Sequence, residues 1–171
     1  LYVMLRESNE DMALKLADYR MVDYGDHHLT VRAVKRSIDG ALGSHGAWML
    51  EPYVDLPSST GLNTISLESL AETVRIAREH DFQVCVHAIG DRANREVLDA
   101  YEHIFAEREG GGADLRWRIE HAQHLHPRDI PRFSALGVIA AMQGVHCTSD
   151  APWVIAKLGA ERAASGAYMW R

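Results

Sequence analysis

The chain has 171 residues and a formal net charge of -6 at pH 7. That length suits one domain with a sizeable core, but it falls short of the roughly 250 residues that a complete eight-fold α/β barrel needs. An acidic balance without a basic run argues against nucleic acid as a partner, strand-sized apolar stretches argue against a membrane span, and two cysteines make no disulfide framework.

In chain order, residues 1–6 read as a strand and residues 9–20 as a helix with Met12, Leu16 and Tyr19 on one face. A second strand covers 31–35. Residues 39–64, rich in Gly, Ser and Pro, form a long irregular segment, and a loop of that length after a strand's carboxyl end belongs on the functional face of a parallel sheet. Ser66 can cap a helix in which Leu67, Leu70, Ala71, Val74 and Ala77 recur at helical spacing. A strand over 82–87 leads to a helix over 92–109, with Val97, Tyr101, Ile104 and Phe105 inward and Gly110, Gly111 and Gly112 as its stop. Residues 115–121 read as a strand, followed by a short helix that Asp129 can cap and Gly137 ends. A strand over 138–142 comes next, and a helical tail from Ala151 is interrupted by Gly159 and Gly166. Strand and helix alternate throughout, which predicts an α/β fold with a parallel sheet. No repeat or linker divides the chain, so residues 1–171 read as one domain. Cys85 falls in a strand and Cys147 in a loop, both as reduced thiols.

Three strand ends carry chemistry: Lys35, His87 and His121 close successive strands, and each is followed by a loop. In a parallel barrel such ends converge on one face. Two neutral imidazoles there can hold a divalent cation. A lysine beside them makes sense if it is carboxylated, because an ammonium repels a metal and a carbamate offers an anionic oxygen. Without that, Lys35 is a solvated strand-end lysine or the partner of a carboxylate such as Asp39. Asp91 precedes a helix and reads either as its N-cap or as a group orienting His87. If His121 points inward, strand alternation places Trp117 and Ile119 inward too, and turns Arg118 and Glu120 toward the helices. His124 and His126 read as loop residues, and Gly40, Gly43 and Gly46 lack the Lys-Ser/Thr ending of a phosphate loop.

Several motifs in fixed order strengthen this reading. They are Val31 to Lys35, Asp39 to Ser44, Glu51-Pro52-Tyr53, His87 to Ala93, Arg118 to Gln123, Arg132 to Val138, and Ser149-Asp150-Ala151-Pro152-Trp153. Together the sequence resembles the metal-dependent amidohydrolase superfamily, in the amidohydrolase family 3 branch that includes N-substituted formamide deformylase. The resemblance implies part of a (β/α) barrel of TIM type, about strands 3 to 7. It implies that a carboxylated Lys35 bridges two metals while His87 and His121 hold one of them. It further implies a His-x-His on a first strand and an aspartate on a last strand, neither of which lies in this chain, so the chain reads as an internal piece of a longer enzyme. His45 stands where relatives carry arginine, and His146 ends Gln143-Gly144-Val145-His146 where relatives read Gln-Pro-x-His. Both, with Tyr53, are expected to touch substrate.

The resulting expectation is a metal-dependent hydrolase acting on the C–N bond of an amide-like small molecule. Its cofactor would be a divalent metal, zinc first, with at most one ion on this chain. The setting would be cytoplasmic, and the partner a second copy or the remainder of a longer chain. The alternatives are a non-catalytic truncated piece of such an enzyme, and a barrel isomerase or lyase using the same metal.

Overall fold

A computed structural model of the chain describes residues 1–169. Five parallel strands lie in the order β1 (Tyr2–Leu5), β3 (Leu29–Ser37), β4 (Gln83–Ala88), β5 (Arg118–His121) and β6 (Ile139–Ala141), with β2 (Met21–Asp23) antiparallel on β3. Helices α1 (Asn9–Tyr19), α3 (Leu67–Glu79), α4 (Asp91–Ala106) and α5 (Ile130–Leu136) cover one face. A single turn, α2 (Tyr24–His27), joins β2 to β3, and α6 (Gly144–Ser149) and α7 (Ala151–Gly166) follow β6. Strands β1 and β6 are the outermost of the five. The antiparallel β2 and the turn α2 are additions, for Met21, Val22 and Tyr24 are exposed and leave no burial pattern to read.

The helices form where burial has a helical period. Ser66 accepts a hydrogen bond from Ser69 N and starts α3, whose Leu70, Thr73, Val74, Ile76 and Ala77 are buried. Leu67 and Ala71, assigned to that face from spacing, are exposed, because the buried stripe is turned toward Ile76. Tyr19 is likewise outside the core that holds Met12 and Leu16. Helix α4 buries Val97, Tyr101, Ile104 and Phe105 as expected. Gly137 ends α5 with φ 69°, the left-handed conformation that glycine adopts without cost. Asp129 precedes that helix without a side-chain cap, since its carboxylate pairs with Arg95 and Arg132. Cys147 lies in α6 rather than a loop, and both cysteines are free thiols.

Strand β5 starts later than its apolar residues suggest. A short 3-10 turn covers Ala113–Leu115, and Arg116 at φ 53° redirects the chain. Trp117 then drops into the helix-side core, where its indole N–H donates to the Phe82 carbonyl and its ring meets Tyr101 edge-on at 4.9 Å. The helix-side face takes Val34, Val84, Val86, Trp117 and Ile119. The opposite face carries polar rows. Lys35, Cys85 and Arg118 stand side by side, and Ser37, His87 and Glu120 form the next row toward the carboxyl end.

Residues 39–64 contain no helix or strand, yet Leu42, Ala47, Met49 and Tyr53 are buried. They form a second core with Ile89 and with Val154 and Leu158 of α7. Backbone bonds tie this loop together, among them Met49 N to Thr60 O at 2.7 Å and Thr64 N to Ile38 O at 2.9 Å. No helix among the described residues is long and apolar enough to cross a membrane.

Candidate metal centre

The two imidazoles singled out from the sequence meet. His87, near the end of β4, and His121, at the end of β5, have ring centroids 4.6 Å apart in an edge-to-face arrangement. Register alone would turn His121 away, since it pairs with Ala88, a residue of the helix-side core. Positive φ at His121 (76°) and Ala122 (43°) breaks the strand's alternation there. This corrects the expected facing of β5: Arg118 and Glu120 lie on the polar face with Cys85 and His87, and Trp117 and Ile119 are the ones packed under the helices.

Hydrogen bonds assign the nitrogens of His121. Gln143 Nε2 donates to the Ala141 carbonyl, which leaves Gln143 Oε1 facing His121 Nδ1 at 2.5 Å. An amide oxygen only accepts, so Nδ1 carries the proton and Nε2 holds the lone pair. Burial, and next the neighbouring His87, push this imidazole down to about 4, so it is neutral near pH 7. Neutral imidazole is the form that binds metal.

His87 is set differently. Its buried Nε2 has no hydrogen-bond partner among the described residues. Asp39 Oδ1 is 3.3 Å away, but the contact is not aligned as a hydrogen bond. The Asp39 carboxylate is taken up by three backbone donors: Trp48 N at 2.9 Å, Ile89 N at 3.0 Å and Gly90 N at 2.8 Å. Asp39 therefore pins the long loop to the turn that follows His87. The sequence alone offers Asp39 only as a partner for Lys35. Gly90 is required at that turn, because a Cβ there would stand 2.0 Å from the Trp48 carbonyl oxygen.

Lys35 shares the polar face but sits one row below His87, whose partner on β3 is Ser37. Its ammonium donates to the Arg36 carbonyl at 2.8 Å. Burial lowers its pKa, against the opposing pull of Glu120. Its charge in turn contributes to lowering that of His121, so the two groups feel each other.

The remaining candidates fall in different places. The His146 ring lies 5.1 Å from that of His121, joining the pair from the start of α6. Asp91 is the first residue of α4, after the N-cap Gly90, and Oδ1 accepts from Leu50 N and Arg92 N, both at 2.8 Å. It braces the loop and does not bond His87. Tyr53 is buried and donates to the Ala47 carbonyl at 2.7 Å. His45 Nε2 lies 2.9 Å from Lys157 Nζ and 3.0 Å from the Asp55 carboxylate, in a contact between the loop and α7. Among the described residues no three His, Cys, Asp or Glu side chains come together as a ready metal site. The chemistry present fits part of one: two adjacent imidazoles, one with its free lone pair assigned, and a half-buried amine one row below them.

Residues 3–171 match the sequence pattern of the Amidohydrolase family. The chain belongs to that family. Among curated relatives, LONG AFTER FAR-RED 3 of Arabidopsis thaliana is 43% identical over 143 residues, 84% of this chain and 24% of that protein. YtcJ of Bacillus subtilis is 39% identical over 139 residues, 81% of this chain and 25% of that protein. The chain thus spans about a quarter of the length of the curated relatives it matches. Its fold is similar to two solved structures described as uncharacterized metal-dependent hydrolases. That of Pyrococcus furiosus gives a TM-score of 0.78 at 29% identity, covering 97% of this chain and 33% of that one. That of Pyrococcus horikoshii gives 0.80 at 28%, covering 98% and 32%. The five parallel strands are thus part of a TIM-like barrel.

Proposed function

We propose that this amidohydrolase chain supplies Lys35, His87 and His121 to a divalent-metal centre, with zinc as the ion, that hydrolyses an amide-like C–N bond of a small molecule. The observation that carries the reading is the contact between His87 and His121 at 4.6 Å across adjacent parallel strands. Family membership and the metal-dependent hydrolases of similar fold support it.

A bound divalent ion would polarise the substrate carbonyl and lower the pKa of water. The chain's own residues prepare for it. His121 offers Nε2 because Gln143 holds its other nitrogen protonated, an arrangement that orients a metal-binding imidazole. His87 is fixed by the turn that Asp39 and Gly90 build. Lys35, half-buried and with a lowered pKa, is more readily found as the free amine, and the free amine is what adds carbon dioxide. The carbamate formed, with release of one proton, supplies an anionic oxygen. It also lengthens a side chain that starts one row, about 6.6 Å, below His87.

Alone, these 171 residues are expected to bind at most one ion, weakly, and to show no amide turnover. Zinc titration by calorimetry tests this. One site should appear, and His87→Ala and His121→Ala should each weaken it at least about tenfold. Two tight sites, or variants that bind like the parent chain, would overturn the reading.

A further inference from the structure

His146 is tied to an acid rather than left free. Its Nδ1 lies 3.0 Å from Asp150 Oδ2, one helical turn later. Two other donors hold the same carboxylate: Ser149 Oγ reaches Oδ1 at 2.8 Å and Gln123 Nε2 reaches Oδ2 at 3.2 Å. A carboxylate only accepts, so Nδ1 of His146 must carry the proton. The neutral ring has a single N–H, so Nε2 is then a bare acceptor. No described residue hydrogen-bonds Nε2, and the side chain remains 27% exposed. The ring stands edge-to-face against His121 at 5.1 Å, beside the proposed metal ligands. An isolated imidazole in water favours the opposite, Nε2–H form. The Asp150 contact reverses that default and presents an acceptor where an ordinary histidine would present a donor.

We propose that Asp150 is a positioning residue that locks His146 in its Nδ1–H form, so that Nε2 accepts a hydrogen bond from an N–H of the substrate. This rests on the metal-centre reading and deepens it by naming a substrate class: primary and secondary amides, which keep an N–H beside the carbonyl. Tertiary amides lack the donor and would leave Nε2 unpaired against them, a mismatch that a site built to accept a hydrogen bond penalises.

Nitrogen NMR of the histidine-labelled, zinc-loaded chain at about pH 8, above the ordinary imidazole range, tests each part. His146 is expected in the Nδ1–H form, and Asp150→Ala should shift it to mainly Nε2–H. Formanilide should move the His146 Nε2 resonance, and N-methylformanilide should not. An Nε2–H ring in the unmodified chain overturns the lock and needs no variant to fold. An equal response to both amides, or to neither, overturns the substrate assignment. If zinc leaves the His87 and His121 resonances unmoved, the metal-centre reading fails, while the tautomer of His146 is still decided by its own signal.

Discussion

Gln143 governs which nitrogen of His121 can serve a ligand, although it reaches the site only through that ring. Gln143→Ala would remove the acceptor at 2.5 Å, and zinc affinity should fall about 10–100-fold with little change in the folded spectrum. Calorimetric titration beside circular dichroism measures both. Gly90→Ala acts through space instead. Its Cβ would collide with the Trp48 carbonyl, so urea unfolding should show a loss of about 1–3 kcal/mol. His124 supplies a pH dependence. Burial holds its imidazole down at about 4, against an ordinary unfolded value of about 6.5. The unfolded chain takes up that proton first as pH falls. The stabilising contribution is therefore complete above about pH 6.5 and is lost by about pH 4, on the order of 3 kcal/mol. Denaturant melts of the metal-free chain across that window should show the decline, and His124→Gln should make it shallower, with His121, also held down at about 4, still contributing. At this scale the strand-end positions of His87 and His121 were legible, because a strand ending in a polar residue is a local pattern; Lys35 was expected to close its strand, but β3 runs on to Ser37. The roles of Asp39 and Gln143 were not, because each depends on where a loop returns in space. Asp91 shows the same limit: its place before a helix offered an N-cap or a group orienting His87, while the amides of Leu50 in the loop and Arg92 in α4 claim its carboxylate.

Elements formed where burial alone decided them and shifted where a backbone turn intervened. Helices α3 and α4 were legible from apolar spacing, as was the stop at Gly137. The start of β5 was not, since Arg116 at φ 53° interrupts an alternating apolar and charged run that reads as continuous strand. Nor was the break at His121, because a positive φ in a histidine leaves no mark in the sequence, and it inverted the expected facing of Arg118 and Glu120. Trp117 is the point where these shifts converge, with no exposed surface and contacts to both Tyr101 and Phe105. Trp117→Ala should destabilise the chain by about 3–5 kcal/mol. Thermal or chemical unfolding would show it. A cost below about 1 kcal/mol would mean that the sheet does not depend on that aromatic cluster. Ser66→Ala, which removes only the cap of α3, should cost about 1 kcal/mol by the same measurement.

Across the whole molecule the sheet is open at β1 and β6. Exposed edges leave backbone donors and acceptors unpaired and invite another chain to pair with them; Tyr2 and Met4 on β1 are exposed as well. The chain is therefore expected to self-associate with rising concentration or to pair with further polypeptide, and light scattering on the 171-residue chain would register it. A stable monomer at high concentration would refute this. The clasp between the long loop and α7 has a separate consequence. Val54 N bonds the Lys157 carbonyl, Lys157 Nζ reaches Asp55, and Arg162 donates to the carbonyls of Glu51 and Pro52. Segments about a hundred positions apart in sequence are thereby joined over a shared apolar patch. They should open as one cooperative unit. Amides of Met49, Tyr53 and Val54 would then take up deuterium on the same timescale as those of α7. Lys157→Met would quicken both together, while α4 kept its slow exchange.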